Sequence, residues 1–218
     1  MSNLLNRSKM TKATAMVREI QKQFPLTEKV AKAMEKVDRE IFVPKGMMMA
    51  AYRLDALPIR GKQFISSPLT VAKMTTYLQP EGADTILEIG CGSGYQAAVL
   101  SKIVRRVLSI ERIENLLKEA KQSFKEAGIM NVLTKLDDGQ AGWPEHGPFD
   151  RILFSASASR VPVELIDQLE EGGIMVFPLQ KGAEQVITRI TKRSGGGYST
   201  ESLERCEFVP VLSGVERA

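Results

Sequence analysis

An apolar run that closes on a glycine-rich turn is the feature of this chain that most limits its fold. The run 85–89 is followed at once by Gly90, Gly92 and Gly94, and then by a helix-forming segment that begins at Tyr95. Strand, tight glycine loop and helix in this order form the first unit of a nucleotide-binding α/β domain. We therefore expect a ligand at the carboxyl ends of the strands of an open sheet.

The glycine spacing and the acids around it indicate which ligand suits this loop. The glycines follow G-x-G-x-G rather than the dinucleotide pattern G-x-G-x-x-G, and Glu88 lies just before the first of them. A carboxylate beside a closed loop repels a pyrophosphate and attracts a cation, so Glu88 is a candidate for the methionine end of a cationic cofactor. Glu111 ends the next apolar run, where an acid accepts the two ribose hydroxyls. The pattern favours S-adenosylmethionine, which carries positive charge and no phosphate.

Two further polar positions are candidates for ligand contacts. Asp138 follows the third predicted strand, where a carboxylate can accept from an exocyclic amine such as that of adenine; the alternative is a loop acid that caps a turn. Ser66 precedes a predicted helix with Ser67 as N-cap and Pro68 at its first position. A helix start attracts a carboxylate through its free amides, and the Ser66 hydroxyl would add a donor. The alternative is that both serines only cap the helix.

Composition indicates an ordinary globular protein. With 218 residues and 43% hydrophobic content, the chain suits one compact domain. Its net charge of +4 is spread along the sequence and does not indicate a nucleic-acid partner. Cys91 and Cys206 lack metal-ligand spacing, and the single histidine, His146, excludes a multi-histidine metal site. The chain shows no signal-peptide pattern and no apolar run of membrane-spanning length. We expect a cytoplasmic monomer without a metal or a membrane partner.

The order of predicted elements indicates a mostly parallel sheet. Helical periodicity covers residues 10–24 and 27–38, and the Ser67 start predicts a helix over 68–78. From residue 84 onward short apolar strands alternate with helical segments, which predicts a doubly wound, Rossmann-like α/β fold. The strands are expected at 85–89, 107–110, 132–136, 151–154 and 174–177. The helices between them are expected at 95–104, 113–127 and 163–169.

The two ends of the chain are expected to differ from this alternation. Segments 185–191 and 203–211 flank a glycine run and predict a C-terminal antiparallel pair. Residues 1–80 are expected to form an N-terminal helical extension on the substrate side. Residues 81–218 would then form the α/β core within one compact molecule.

Several short motifs together resemble one family, the protein-L-isoaspartate O-methyltransferases. Generic methyltransferases share the glycine loop of that family, but not its Ile-Ser-x-Pro, Gly-Trp-Pro and Phe-Val-Pro elements. The resemblance extends from about residue 16 to about residue 211. The matching segments are FVP (42–44), ALPI (56–59), ISSP (65–68), LEIGCGSGYQAAVL (87–100), SIER (109–112), DGQAGWP (138–144) and FVP (208–210).

This resemblance implies an activity, a cofactor and a set of site residues. The implied reaction transfers a methyl group from S-adenosylmethionine to the free α-carboxylate of L-isoaspartyl residues in damaged proteins or peptides, which begins their repair. The family's active-site serine falls on Ser66, and Ile65, Ser66 and Val209 are expected to contact the substrate. The residues expected to bind the cofactor are Glu88, Gly90, Cys91, Gly92, Ser93, Gly94, Glu111, Arg112, Asp138 and Gly139.

The chain also departs from the family pattern, and rival functions remain. Phe64 stands where the family often has threonine, and residues 60–62 differ as well, which leaves the shape of the peptide groove open. One rival is a methyltransferase of a small molecule or nucleic acid, although no Asn/Asp-Pro-Pro-aromatic motif follows the fourth strand. Another is a domain that binds the cofactor without catalysis. The glycine spacing disfavours an NAD-dependent dehydrogenase.

Overall fold

The computed structural model of the chain describes residues 2–217 and the side-chain environments of residues 11–217. Its N-terminal part contains helices, two short 3-10 helices and a hairpin. These elements are α1 (Ser2–Gln21), α2 (Glu28–Lys36), the 3-10 helices Arg39–Phe42 and Lys45–Ala50, strands β1 (Leu57–Ile59) and β2 (Gln63–Ile65), and α3 (Pro68–Leu78).

The remainder alternates strands with helices until its last three strands. These elements are β3 (Thr85–Ile89), α4 (Tyr95–Leu100), β4 (Arg106–Glu111), α5 (Glu114–Glu126), β5 (Val132–Leu136), a 3-10 helix (Pro144–His146), β6 (Phe149–Phe154), α6 (Val163–Ile166), β7 (Leu169–Lys181), β8 (Glu184–Lys192) and β9 (Tyr198–Cys206).

Seven strands form one sheet in the order β5-β4-β3-β6-β7-β8-β9. Strands β3 to β7 pair in parallel, whereas β8 pairs antiparallel with both β7 and β9. The chain proceeds from β3 outward to β5 and then returns to the other side of β3 at β6, so the order reverses between β3 and β6. Such a reversal leaves a crevice at the carboxyl ends of the strands. The predicted fold class, with its parallel core and C-terminal antiparallel pair, is confirmed.

The central strands of the sheet are buried on both faces, as parallel strands between two layers require, and all five residues of β3 are buried. Alternate residues of β3 point to opposite sides: Ile86 belongs to a core cluster with Ile20 and Met34, while Leu87 belongs to a second cluster with Leu165. The first cluster therefore joins the N-terminal helices to the sheet in one continuous core. The division at residue 80 stays a prediction about roles within that single packed body.

The predicted helix start at Ser67 is confirmed. Ser67 is the N-cap, its hydroxyl accepts from the Thr70 amide at 3.1 Å, and Pro68 takes the first helical position. Pro68 lacks the N–H that a helix start leaves unpaired, and its fixed φ suits the first turn. These signals are local, so the sequence alone locates them.

Other boundaries differ because tertiary pairing extends or moves the strands. The predicted strand over 203–211 lies earlier in the chain, at Tyr198–Cys206, where it pairs with β8. The predicted helix over 163–169 stops at Ile166, because Leu169 already pairs with Phe149 at the start of β7. The register with β6 shifts before Ile174, so Gly172 and Gly173 lie in a bulge inside β7 rather than ahead of it.

We expect the glycine loop to tolerate a methyl group poorly at Gly94. Gly94 has φ +88°, and a Cβ there would lie 2.7 Å from Cζ of the buried Phe124. Gly94→Ala should lower the free energy of unfolding by about 3 kcal/mol, from backbone strain and overpacking together. Gly128→Ala is the matched control, because Gly128 also has positive φ (+63°) but open space around it.

For Gly128→Ala we expect a loss of about 1 kcal/mol from backbone strain alone. Urea unfolding followed by circular dichroism measures both variants. Equal losses would show that the Phe124 contact relaxes without cost.

Candidate cofactor and substrate site

A cavity opens at the carboxyl ends of β3, β4 and β6, where the strand order reverses. The glycine loop and the end of β4 form one wall, and residues 155–156 after β6 lie beside them. Residues 63–66, just before α3, and residues 209–212 near the C-terminus close the other sides. The fold thus brings five separated segments of the chain to one place.

The glycine loop is held open by backbone geometry that side chains rarely allow. Gly90 and Gly92 have φ values of +93° and +54°, and the amides of Gly90 and Cys91 both donate to the Ile110 carbonyl at 2.9 Å. A Cβ on Gly92 would meet no atom within 4 Å, so the space beside its α-carbon is open. A ligand can therefore approach the backbone closely here.

Glu111 ties the glycine loop to the end of β4. One carboxylate oxygen accepts from the Gly92 amide at 2.8 Å and the other from the Ile113 amide at 2.9 Å. Burial raises the pKa of Glu111, while these backbone amides act in the opposite direction. Glu111 lines the cavity, and each carboxylate oxygen has the capacity for a further hydrogen bond, so the carboxylate can also accept from a pair of vicinal hydroxyls.

Glu88 lies outside the cavity lining, beneath the loop. Its side chain is fully buried and accepts hydrogen bonds from the hydroxyls of Ser109 and Ser155. Burial raises its pKa to about 8, although the two serine hydroxyls oppose the shift. At neutral pH the carboxyl is therefore mostly protonated, and the charge on which the spacing argument relied is weak. A contact between Glu88 and the cofactor stays a prediction.

Asp138 lines the cavity as predicted, but part of its carboxylate is already used. One oxygen accepts from the Gln140 amide at 3.1 Å, which is the turn-capping role, and the other accepts from the Gly214 amide at 2.8 Å. Gly139, with φ +76°, packs against Ile89 instead of the cavity. The turn-capping interpretation is confirmed, and a contact between Asp138 and an exocyclic amine of a ligand stays a prediction.

A C-terminal strap, residues 212–216, borders the cavity and was missed by the sequence analysis. Arg112 Nε donates to the Gly214 carbonyl at 2.9 Å, and Gln140 donates to the Ser213 hydroxyl at 2.8 Å. The Glu216 amide donates to the Arg112 carbonyl at 2.8 Å, while Leu212 lines the cavity. The strap has little periodicity of its own, so only the fold shows that it belongs to the site.

Ser66 lies at the opposite wall of the cavity, just before α3. The Ser66 hydroxyl makes no hydrogen bond to any residue that the structure describes, so it is available to a ligand. Ile65, which is buried, and Val209 line the same wall, as does Phe64, whose side chain is 54% exposed. Apolar side chains thus surround the Ser66 hydroxyl, which lies just before the first residue of α3.

The predicted site residues mostly converge on this cavity. Those that line it are Ile65, Ser66, Gly90, Cys91, Gly92, Ser93, Glu111, Arg112, Asp138 and Val209. The predicted residues that do not line the cavity are Glu88, Gly94 and Gly139, which lie in or next to the segments that form it. Ser155, Ala156 and Tyr95 also line it and were not predicted, although the position of Ser155 directly after a parallel strand is a usable signal.

The lining suits S-adenosylmethionine better than a dinucleotide. Two acids, Glu111 and Asp138, face the cavity, and no lysine does so among the described residues. The arginine of the lining, Arg112, is occupied by the Gly214 carbonyl and by Glu216. A pyrophosphate would find no free cation here, whereas hydroxyl and amine donors would find acceptors.

Comparison with known proteins assigns the chain to a family. The family model described as protein-L-isoaspartate(D-aspartate) O-methyltransferase matches residues 10–216. The chain belongs to this family. A Helicobacter pylori (strain G27) protein-L-isoaspartate O-methyltransferase is 55% identical over 92% of this chain and 96% of its own length. A Vibrio cholerae relative of the same name is 45% identical over 93% of this chain and 97% of its own length.

Solved structures in the family share the fold. A protein-L-isoaspartate O-methyltransferase superposes with a TM-score of 0.81 at 25% identity, covering 93% of this chain and 66% of that one. A Plasmodium falciparum structure, determined in complex with S-adenosyl-L-homocysteine, has a TM-score of 0.80 at 22% identity and covers 92% and 98% of the two chains. The parallel core and the C-terminal antiparallel strands are therefore features of the family fold.

The buried carboxyl of Glu88 predicts a pH-dependent stability. Its folded pKa of about 8 lies above its ordinary value of 4.5, so the folded chain holds the proton more tightly than the unfolded chain. The carboxyl therefore lowers stability progressively as the pH rises from about 5 to about 8. Glu88→Gln removes this titration while keeping an acceptor for Ser109.

We expect the melting temperature of Glu88→Gln to increase relative to that of the wild type as the pH rises from about 5 to about 8, because only the wild type loses stability by ionising this group. Thermal melts without added cofactor measure the gap. Parallel curves across this range would show that Glu88 is ionised in the folded chain.

Proposed function

We propose that this chain transfers a methyl group from S-adenosylmethionine to the free α-carboxylate of L-isoaspartyl residues in damaged proteins or peptides, and so begins their repair. One observation carries the proposal: a single cavity combines an acceptor-rich wall at Glu111 and Asp138 with the free Ser66 hydroxyl at a helix start. The relatives in Helicobacter pylori and Vibrio cholerae, which align over nearly the whole chain, bear the name of this activity.

The residues that would hold the cofactor lie on the glycine-loop wall. The backbone at Gly90 and Gly92 lets a ligand approach closely, Glu111 accepts from ribose hydroxyls, and Asp138 accepts from the adenine amine. When bound, S-adenosylmethionine supplies an electrophilic methyl group. Leu212 of the C-terminal strap adds an apolar cover at the same end.

The opposite wall would orient the substrate carboxylate. A carboxylate with a pKa near 4 is ionised at neutral pH and needs no general base. His146 accordingly lies outside the cavity lining. Its ring packs against that of Trp143, with the ring centroids 4.9 Å apart. The Ser66 hydroxyl, at the positive end of the α3 dipole, would fix the direction of the carboxylate, while Ile65 and Val209 exclude water. Positioning and desolvation are the main tasks of these residues.

The surroundings in which the protein works are part of the proposal. No helix within the described part of the chain has both the length and the apolarity needed to cross a bilayer. Cys91 and Cys206 are free thiols, which suits a reducing compartment. We place the protein in the cytoplasm as a monomer, with isoaspartyl proteins and peptides as its partners and no nucleic acid among them.

Paired peptides test the substrate class directly. Two peptides that differ only in isoaspartate versus aspartate would be incubated with labelled cofactor, beside RNA and DNA. We expect methyl transfer to the isoaspartyl peptide alone. Transfer to a nucleic acid would favour the rival methyltransferase, and cofactor binding without any transfer would favour a non-catalytic module.

Two substitutions distinguish the role of the substrate wall from that of the cofactor wall. Ser66→Ala should lower turnover about tenfold or more, because it removes a donor to the substrate, with cofactor affinity nearly unchanged. Glu111→Ala should weaken cofactor binding about tenfold or more, because it removes a charged acceptor and releases the Gly92 amide. Calorimetric titration of cofactor and steady-state kinetics with the isoaspartyl peptide measure both. Equal loss of cofactor binding in Ser66→Ala would show that Ser66 is misplaced.

A further inference from the structure

Arg39 is a buried arginine that connects three separate segments beside the cavity. It begins the 3-10 helix Arg39–Phe42 and has no exposed surface. Its Nε donates to the Ala51 carbonyl and its Nη2 to the Ser66 carbonyl, both at 2.8 Å. The peptide group of the proposed active-site serine is therefore anchored by a charged donor from a distant part of the chain.

The charge on Arg39 has no acidic partner among the described residues. The neighbouring acids are engaged elsewhere: Asp38 accepts from the Tyr52 hydroxyl at 2.9 Å, and Glu40 pairs with Lys12 at 2.8 Å. The Arg39 guanidinium instead lies over the ring of Tyr95, with Cζ 4.3 Å from the ring centroid. An aromatic face attracts a cation but does not neutralise it.

Two buried polar atoms in this arrangement lack a hydrogen-bond partner of ordinary geometry, although Arg39 and Tyr95 interact with each other and this interaction opposes the lowering of the Arg39 pKa by burial. They are Nη1 of Arg39 and the hydroxyl of Tyr95, a residue that also lines the cavity. Burying a cation without a paired anion is expensive, and packing alone would favour an apolar residue at this position. The cost suggests that the charge serves the site rather than the stability of the fold.

We propose that Arg39 is a positioning residue for methyl transfer. It holds the backbone of Ser66 in place through the Ser66 carbonyl and adds a positive charge behind the site that receives the substrate carboxylate. This rests on the proposed function, since the isoaspartyl carboxylate is the anion that the charge attracts. Because the guanidinium grips the carbonyl side of the Ser66–Ser67 peptide, the Ser66 hydroxyl and the start of α3 keep a fixed direction. Arg39 is fully buried, so solvent screens its charge little, and its Nη2 already contacts the backbone of Ser66, which lines the cavity.

Arg151 provides a matched control at the other end of α3. It donates from Nε to the Gln79 carbonyl, the residue that ends this helix, and from Nη1 to the Asp150 carbonyl, both at 2.8 Å. Arg39 and Arg151 thus hold the two ends of one helix by the same kind of contact. Arg151 does not line the cofactor cavity, so its loss should affect stability without a specific effect on the substrate.

The test compares Arg39→Ala, Arg39→Lys and Arg151→Ala with the wild type. Steady-state kinetics with an isoaspartyl peptide give kcat and KM, calorimetry gives the S-adenosylmethionine Kd, and thermal melts give stability. We expect Arg39→Ala to raise the peptide KM about tenfold or more, with the cofactor Kd within about twofold of the wild type. Arg39→Lys keeps the charge and should show an intermediate KM, and added guanidinium ion at low concentration should partly restore Arg39→Ala.

Arg151→Ala should lower the melting temperature and leave the peptide KM near the wild-type value. Equal effects of Arg39→Ala and Arg151→Ala on KM, or a parallel loss of cofactor affinity in Arg39→Ala, would overturn the positioning role. If Arg39→Ala does not fold, the neutral and longer Arg39→Met takes its place, and a wild-type peptide KM in Arg39→Met overturns the role of charge. A wild type that transfers nothing to the isoaspartyl peptide overturns the proposed function itself.

Discussion

The hydrogen bond from the Gly92 amide to the Glu111 carboxylate is the contact on which the site depends. It joins the loop after β3 to the end of β4 at 2.8 Å, while the second oxygen of the same carboxylate holds the Ile113 amide. The strands bring these groups to one edge of the sheet, and the carboxylate then holds the glycine loop to the end of β4. The cofactor wall is thus built mainly from backbone.

Two buried ionisable groups on either side of the cavity behave in opposite ways. Glu88 escapes the cost of burial by holding its proton, since burial raises its pKa to about 8. Arg39 has no such escape, because a guanidinium remains charged even where burial lowers its pKa. The cationic side of the site therefore lies near Ser66, where an anionic substrate is expected, and the glycine-loop side is closer to neutral than its sequence indicates.

The bounds of strands and helices were predicted correctly where local sequence signals mark them. They were predicted wrongly where hydrogen bonding between residues far apart in the chain determines them. The strands Thr85–Ile89 and Val132–Leu136 and the helix Pro68–Leu78 have the predicted bounds, because apolar runs and capping residues mark their ends. The hairpin of β1 and β2 was missed, since three-residue strands show no alternation. Strand β7 is longer than predicted because it pairs with β6 along one edge and with β8 along the other. The pairing with β6 resumes after a bulge, so the strand continues past it.

The sequence by itself determined the fold class and the position of the glycine loop, because these follow from the apolar strands, the helical periodicity and the glycine spacing; the cofactor contacts of the residues around the loop stay predictions. Tertiary structure decided which side chains carry charge and which segments complete the cavity. Arg39, the strap over 212–216 and the true surroundings of Glu88 depend on contacts between residues far apart in the chain. Burial and long-range hydrogen bonding set these properties, and neither can be read from a local pattern.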